Sequence, residues 1–227
     1  MPTALVTGAN RGIGLELVRA YAADGYRVHA CCRAPGGATE LDAVAGDVTV
    51  HALDVTDHGA VDALAASIGE PVDVLIANAG VYGPKSEAQG FGSLDYGALR
   101  STIETNTIGA IKTCEAFLPH VARSEGKKMV AITSQMGSIG DASGGSIAYR
   151  ASKTALNMAM AVAAHDVKDQ GVAVGLIHPG WVRTDMGGPN GKVTPADSAA
   201  GIKAQVGKLR PSDKAPFVTY DGRALPW

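Results

Sequence analysis

The chain has 227 residues, 46% of them hydrophobic and 19% charged, which is enough apolar material for one large core. A single domain over 1–227 is therefore expected. A formal charge of -2 gives no overall attraction to nucleic acid or to a membrane surface, so neither is expected as a partner.

Thr3 to Ala9 reads as a buried strand, and Thr7, Gly8, Asn10 and Arg11 break this first apolar stretch at once. No cationic leader precedes it and no run is long enough to span a bilayer, so a cytoplasmic location is expected. Gly12 to Asp24 follows as a helix, with Ile13, Leu17, Val18 and Tyr21 at helical spacing. Arg27 to Arg33 is the second strand. Its neighbours Cys31 and Cys32 point to opposite faces, and with Cys114 they make an odd number of thiols, so free buried cysteines are expected. A helical piece from Ala38 to Ala45 leads to a strand from Val48 through Leu53. Asp57 to Ile68 starts on an acidic residue and repeats Val61, Leu64 and Ile68, and Val72 to Ala77 is the next strand. Beyond a Gly-rich loop come a long helix around Leu99 to Val121, a strand from Lys128 to Thr133, the helix carrying Tyr149, and a strand from Val172 to Ile177. Pro179 and Gly180 end that strand, Pro195 opens a last helix through Gln205, and Pro216 to Tyr220 adds a seventh strand. Strands alternating with helices predict an α/β fold. Specifically, they predict a single-domain Rossmann-type, doubly wound, mostly parallel seven-stranded sheet with helices on both faces and ligands at the carboxyl ends of its strands. The six His show no metal-ligand spacing, and no catalytic metal is expected.

Thr7-Gly8-Ala9-Asn10-Arg11-Gly12-Ile13-Gly14 joins the first strand to the first helix, where exposed amides and the helix dipole favour a pyrophosphate. Without a Cβ, Gly8, Gly12 and Gly14 permit a tight turn and close approach of backbone to phosphate. The spacing Gly-x-x-x-Gly-x-Gly departs from the commoner Gly-x-Gly-x-x-Gly, and the Lys-Ser/Thr of a triphosphate loop is missing. An acidic residue at the end of the second strand would hold the ribose hydroxyls of NAD; this chain has Arg33 there. Arg33 and Arg11 can bond a 2′-phosphate, so NADP(H) is preferred over NAD(H). Asp54, before Val55, can accept from an adenine amino group or cap the next segment. Asn78-Ala79-Gly80 can lie against a flat ring or form a plain turn.

Tyr149 and Lys153 are four residues apart on one helix, so they share a face about 6 Å apart, with Ser134 at the end of the preceding strand as a candidate hydroxyl partner. A nearby ammonium favours phenolate, which prepares a tyrosine for proton transfer near neutral pH.

These pieces, in order, resemble the short, single-domain branch of the short-chain dehydrogenase/reductase family over essentially the whole chain. The matching elements are the Thr7 to Gly14 turn, Asp54-Val55, Asn78-Ala79-Gly80, Asn106 in Asn-Thr-Ile-Gly, Ser134, Tyr149-x-x-x-Lys153 and Pro179-Gly180-Trp181-Val182-Arg183-Thr184. Ala77 stands where many relatives carry Asn. The ending from Tyr220 to Trp227 is similar to sniffer-type carbonyl reductases and C-factor-like signalling proteins. The resemblance implies hydride transfer between a nicotinamide and an aldehyde, ketone or quinone, or the corresponding alcohol. Tyr149 would donate the proton, Lys153 would lower the phenol pKa and bond the nicotinamide ribose, and Ser134 would polarise the carbonyl. Asn106 would hold a water linking Lys153 to solvent, or is a core polar residue bonded to backbone. Val182 and Thr184 would reach the carboxamide. Gln135, Met136, Trp181 and Met186 are candidate lining residues of an open substrate pocket, since Met186 to Thr194 is short and Gly-rich. The resemblance also implies a homodimer, for which Ala155, Met158, Ala159 and Ala163 offer a small-residue face, unless those alanines face the sheet. The other class to weigh is a dinucleotide-binding signalling protein of C-factor type with incidental turnover.

Overall fold

The computed structural model describes residues 1–84 and 86–227. Strand β1 (Thr3–Thr7) is followed by α1 (Gly12–Ala23), β2 (Arg27–Cys32), the short α2 (Thr39–Asp42), β3 (Val48–Ala52), α3 (His58–Ser67) and β4 (Val74–Ala77). The second half holds α4 (Tyr96–Ile103), α5 (Gly109–Ala122), β5 (Lys128–Ile132), α6 (Ile147–Val167), β6 (Ala173–His178), α7 (Pro195–Lys208) and β7 (Phe217–Thr219). The strands form one sheet in the order β3-β2-β1-β4-β5-β6-β7, and every pairing is parallel.

A parallel strand covered on both faces needs apolar side chains on both, and β1 supplies them by alternation. Leu5 enters the core under α3, α5 and α6, with Phe117, Leu156 and Met160. Ala4 and Val6 enter the core under α1 and α7, with Leu17, Val18 and Ile202. Each fully buried Val, Leu, Ile, Phe or Met side chain among them contributes roughly 1.5–3 kcal/mol relative to exposure. The chain leaves β1 for β2 and β3, then crosses back to β4 on the other side of β1. The resulting switch point opens a crevice at the carboxyl ends of β1 and β4.

Several boundaries differ from the sequence reading, each for a local reason. β1 stops at Thr7 because its hydroxyl turns to accept from the amides of Asn78 and Ala79, both at 3.0 Å. β4 begins only at Val74: the amide of Val72 donates to the His120 carbonyl, and the Asp73 carboxylate accepts from the amides of Thr3 and Gly126, each at 2.8 Å. The long helix expected around Leu99 to Val121 starts earlier, at Tyr96, where Asp95 caps the Ala98 amide at 3.0 Å. It then makes one wide π turn at Glu104–Ile108 before continuing as α5. All three cysteines are buried and unpaired. Among the described residues, no helix is long and apolar enough to cross a membrane.

Candidate active site

At the carboxyl end of β5, Ser134 is extended and its hydroxyl accepts from the Met136 amide at 3.1 Å. α6 begins opposite and presents Tyr149 and Lys153, one turn apart and both buried, toward it. Ser134 lies beside the phenol, close enough to lower its pKa. The Lys153 amine donates to the Ile132 carbonyl at 2.9 Å and lies 5.9 Å from the centre of the Tyr149 ring. Tyr82 stacks on Tyr149, ring centres 4.9 Å apart, and shares a 2.6 Å hydrogen bond with Ser146. Gln89, fully buried, accepts from the Tyr149 amide and donates to the carbonyls of Tyr82 and Pro84, which ties this loop to the start of α6.

Burial pushes the Tyr149 phenol up to about 12, against the smaller downward pull of the Ser134 hydroxyl. Burial also brings the Lys153 amine down to about 8. This corrects the expectation that the amine lowers the phenol: burial raises the phenol instead, Lys153 is not among the influences on it, and the same burial lowers the amine.

Asn106 sits within the π turn and is fully buried. Its side-chain oxygen accepts from the Val81 amide at 2.7 Å, and its amide group donates to the Val81 carbonyl and to Ser152 Oγ at 2.8 and 3.0 Å. The side chain is thus anchored to the chain just beyond β4. The same oxygen and Lys153 Nζ lie 3.1 and 3.6 Å from where a Cβ on Gly80 would stand, so any larger residue there would press on both.

The glycine turn packs at backbone contact. Gly8 has φ +65, and a Cβ on Gly14 would fall 2.1 Å from the Gly8 carbonyl oxygen. The Asn78 amide donates to the carbonyls of Thr7 and Gly8 at 2.9 and 3.2 Å, so this side chain braces the turn. Arg11, the N-cap of α1, makes no side-chain cap bond. The first amides of α1, at Gly12 and Ile13, are therefore donors for an outside acceptor. The Arg11 guanidinium instead pairs with Asp185 across the cleft, both side chains exposed. Asn10 is half-buried and Arg33 is exposed. Asp54 accepts from the amide and hydroxyl of Thr56 at 3.0 and 2.8 Å, and these bonds, with a smaller contribution from Arg33, lower its pKa. Capping, one of the two roles open to Asp54, is thus present. Val55 is buried among α3 and α5 side chains, with Ala79 packed against the same core.

A cavity of about 570 Å³ opens beside Ser134 and Tyr149. Gln135, Met136, Trp181 and Met186 line it, as do Pro179, Gly180, Val182, Thr184 and Ile13. The chain from Trp181 to Val193 folds back on itself. Arg183 N donates to Val193 O at 3.0 Å, Trp181 Nε1 to Gly187 O at 2.7 Å, and Thr184 Oγ1 accepts from Gly187 N at 3.1 Å. The wall residues that escape the sequence reading include Tyr82, Asp141, Ser143, Arg150 and His178. Arg150 has a signal, being next to Tyr149 in α6, and His178 ends β6; the others are brought in by loop paths that no periodicity encodes. Among the described residues, no group of three or more His, Cys, Asp and Glu could hold a metal.

The short chain dehydrogenase family model matches residues 2–193. The 1-hydroxy-2-glutathionyl-2-methyl-3-butene dehydrogenase of Rhodococcus sp. (strain AD45) is 38% identical over 236 residues, covering 100% of both chains. C-signal of Myxococcus xanthus is 39% identical over 158 residues, 69% of this chain and 93% of that protein. Among solved structures, carbonyl reductase Sniffer of D. melanogaster superposes with a TM-score of 0.92 at 32% identity, covering 100% of both chains. NADPH-bound carbonyl reductase from chicken fatty liver gives 0.91 at 32% identity, covering 100% of this chain and 99% of that one. With a family match over most of its length and relatives of this identity on the same fold, the chain belongs to the short-chain dehydrogenase/reductase family of NAD(P)-dependent oxidoreductases.

Proposed function

We propose that the whole chain works as one dinucleotide-binding and catalytic unit, an NADP(H)-dependent carbonyl reductase or alcohol dehydrogenase with Tyr149 as its acid/base. The observation that carries this reading is the meeting of Ser134, Tyr149 and Lys153 at the crevice beside the glycine turn. When bound, the nicotinamide cofactor supplies a hydride to a carbonyl carbon or takes one from a carbinol. Reduction leaves negative charge on oxygen, so a proton donor must stand beside it. The buried phenol of Tyr149 is protonated at neutral pH and serves as that donor. Ser134, beside the phenol, orients the substrate oxygen. Lys153, fixed by Ile132, holds the nicotinamide ribose and replenishes the phenol through a water that Asn106 would hold by its main chain, since its side chain is committed to Val81 and Ser152.

The residues fit the cofactor. Gly8, Asn10, Gly12, Ile13 and Gly14 hold the pyrophosphate on the free amides of α1. Asp54, Val55 and Asn78 to Gly80 flank the adenine side, and Pro179, Gly180, Val182 and Thr184 the nicotinamide side. Arg33 makes no ion pair or hydrogen bond among the described residues, which leaves a cation for a 2′-phosphate at the end of β2. The NADPH carried by the chicken enzyme supports the same preference.

Similarity to C-signal supports a second reading, a binder that signals. A proton donor set in a substrate cavity favours the enzyme. The test is a panel of aldehydes, ketones and quinones assayed with NADPH and NADH in parallel. Oxidation of NADPH by several of them supports the enzyme; tight NADPH binding without oxidation by any supports the binder. We infer a cytoplasmic homodimer paired through α5 and α6, where Ile108 just before α5 and Met158 and Val162 on α6 are exposed. Light scattering that gives the mass of one chain would refute the dimer.

A further inference from the structure

The cavity contains a cation that acid/base chemistry does not use. Arg150 follows Tyr149 in α6 and lines the same space as Ser134 and Tyr149. Its guanidinium is held by neutral groups alone. Nη2 donates to Ser143 Oγ, and Nη1 donates to the Met136 carbonyl over 3.4 Å, near the limit for such a bond. Nε is buried without an acceptor. Among the described residues, Arg150 forms no ion pair.

A guanidinium stays charged at any working pH, and its donors lie in a rigid fork that matches two carboxylate oxygens. A partly buried one, served by neutral acceptors and with one donor orphaned, gains more from an incoming anion than a solvated or paired one would. The rest of the cavity offers nothing comparable. Asp141 is the carboxylate on its wall, and it already accepts from the Gln135 amide. His178 is kept neutral at physiological pH by burial. Ile13, Met136, Trp181, Val182 and Met186 are apolar. Arg150 is therefore the cavity's positive charge, one residue from the proton donor.

We propose that Arg150 is a specificity-determining residue that binds a carboxylate on the substrate, so that the preferred substrates are carbonyl or alcohol compounds with an anionic group near the reacting carbon. The carboxylate takes the guanidinium edge formed by Nε and Nη2, displacing the hydroxyl of Ser143. Ser143 is exposed and precedes Gly144 and Gly145, so its loop can yield without disturbing the core. The competing role for Arg150 is mechanical, as a clamp holding the Ser143 loop against Met136.

The proposal rests on the oxidoreductase reading, and the test keeps the two apart. 4-Carboxybenzaldehyde and its methyl ester differ by one charge, and each is assayed with NADPH on the wild type, Arg150→Gln and Ser143→Ala. The wild type should favour the acid by about tenfold or more in kcat/KM, as a charge-assisted bond predicts. In Arg150→Gln the acid-to-ester ratio should fall to about one through a higher KM for the acid, and in Ser143→Ala it should persist or rise. No preference in the wild type, or equal losses on both substrates in Arg150→Gln, would overturn the proposal and assign the clamp. Turnover of neither aldehyde would count against the reductase. Calorimetric titration of benzoate then decides the anion site alone: it should bind wild type at least about tenfold more tightly than Arg150→Gln, and no binding to the wild type would sink it.

Discussion

Replacing Tyr149 by Phe keeps a ring to stack on Tyr82 and removes the hydroxyl beside Ser134. The variant should therefore fold and bind NADPH as the wild type does, while turnover falls by at least about a hundredfold. Near-normal turnover would take Tyr149 out of the chemistry. Arg33 is a separate case, because its role concerns which dinucleotide binds rather than what happens to it. Exchanging it for Asp puts a carboxylate at the end of β2, which repels a 2′-phosphate and accepts from ribose hydroxyls. The ratio of kcat/KM for NADPH over NADH should invert, and an unchanged ratio would remove Arg33 from cofactor selection. Arg11 shows the limit of reading charges from a sequence. Its position beside the glycines was plain, but its pairing with Asp185, 174 residues away, depends on how the loop after β6 folds back.

At the scale of elements, the turn between β1 and α1 was legible because sterics write it directly: only glycine tolerates the contacts that join Gly8 to Gly14. Gly14→Ala would set a methyl group 2.1 Å from a backbone oxygen and 2.7 Å from the Asn78 amide nitrogen. Neither atom can move without opening the turn. The variant should lose about 1–3 kcal/mol of stability in denaturant melts, and its affinity for NADPH should drop with it. Wild-type melting and cofactor affinity in Gly14→Ala would mean that the turn is looser than its contacts imply. The π turn at Glu104–Ile108 was not legible, because one wide turn leaves the apolar period on either side nearly intact. The bracing of Tyr149 by Gln89 was also invisible: it depends on a loop path 60 residues from the amide it holds.

Across the whole molecule, the alternation of apolar strands and amphipathic helices predicts the seven strands and their parallel sheet, because burial on two faces asks for an apolar side chain at nearly every strand position. What it could not predict is which polar groups that burial would trap. His178 ends β6 at the floor of the cavity with its Nδ1 buried and unpartnered, and burial, aided by Arg223, lowers its pKa to about 4. The unfolded chain binds this proton near pH 6.5, the folded one only near 4. The stability tied to His178 is therefore complete above about pH 6.5 and is lost as the pH falls toward about 4. Between pH 7 and 5 the shift amounts to about 2 kcal/mol. Urea melts at the two pH values should show that loss in the wild type, and His178→Gln, which carries no proton to bind, should lose less by about that amount. Equal losses in the two proteins would show that the imidazole gains its proton as readily in the folded cavity as in water, and the acid sensitivity would then belong to other groups.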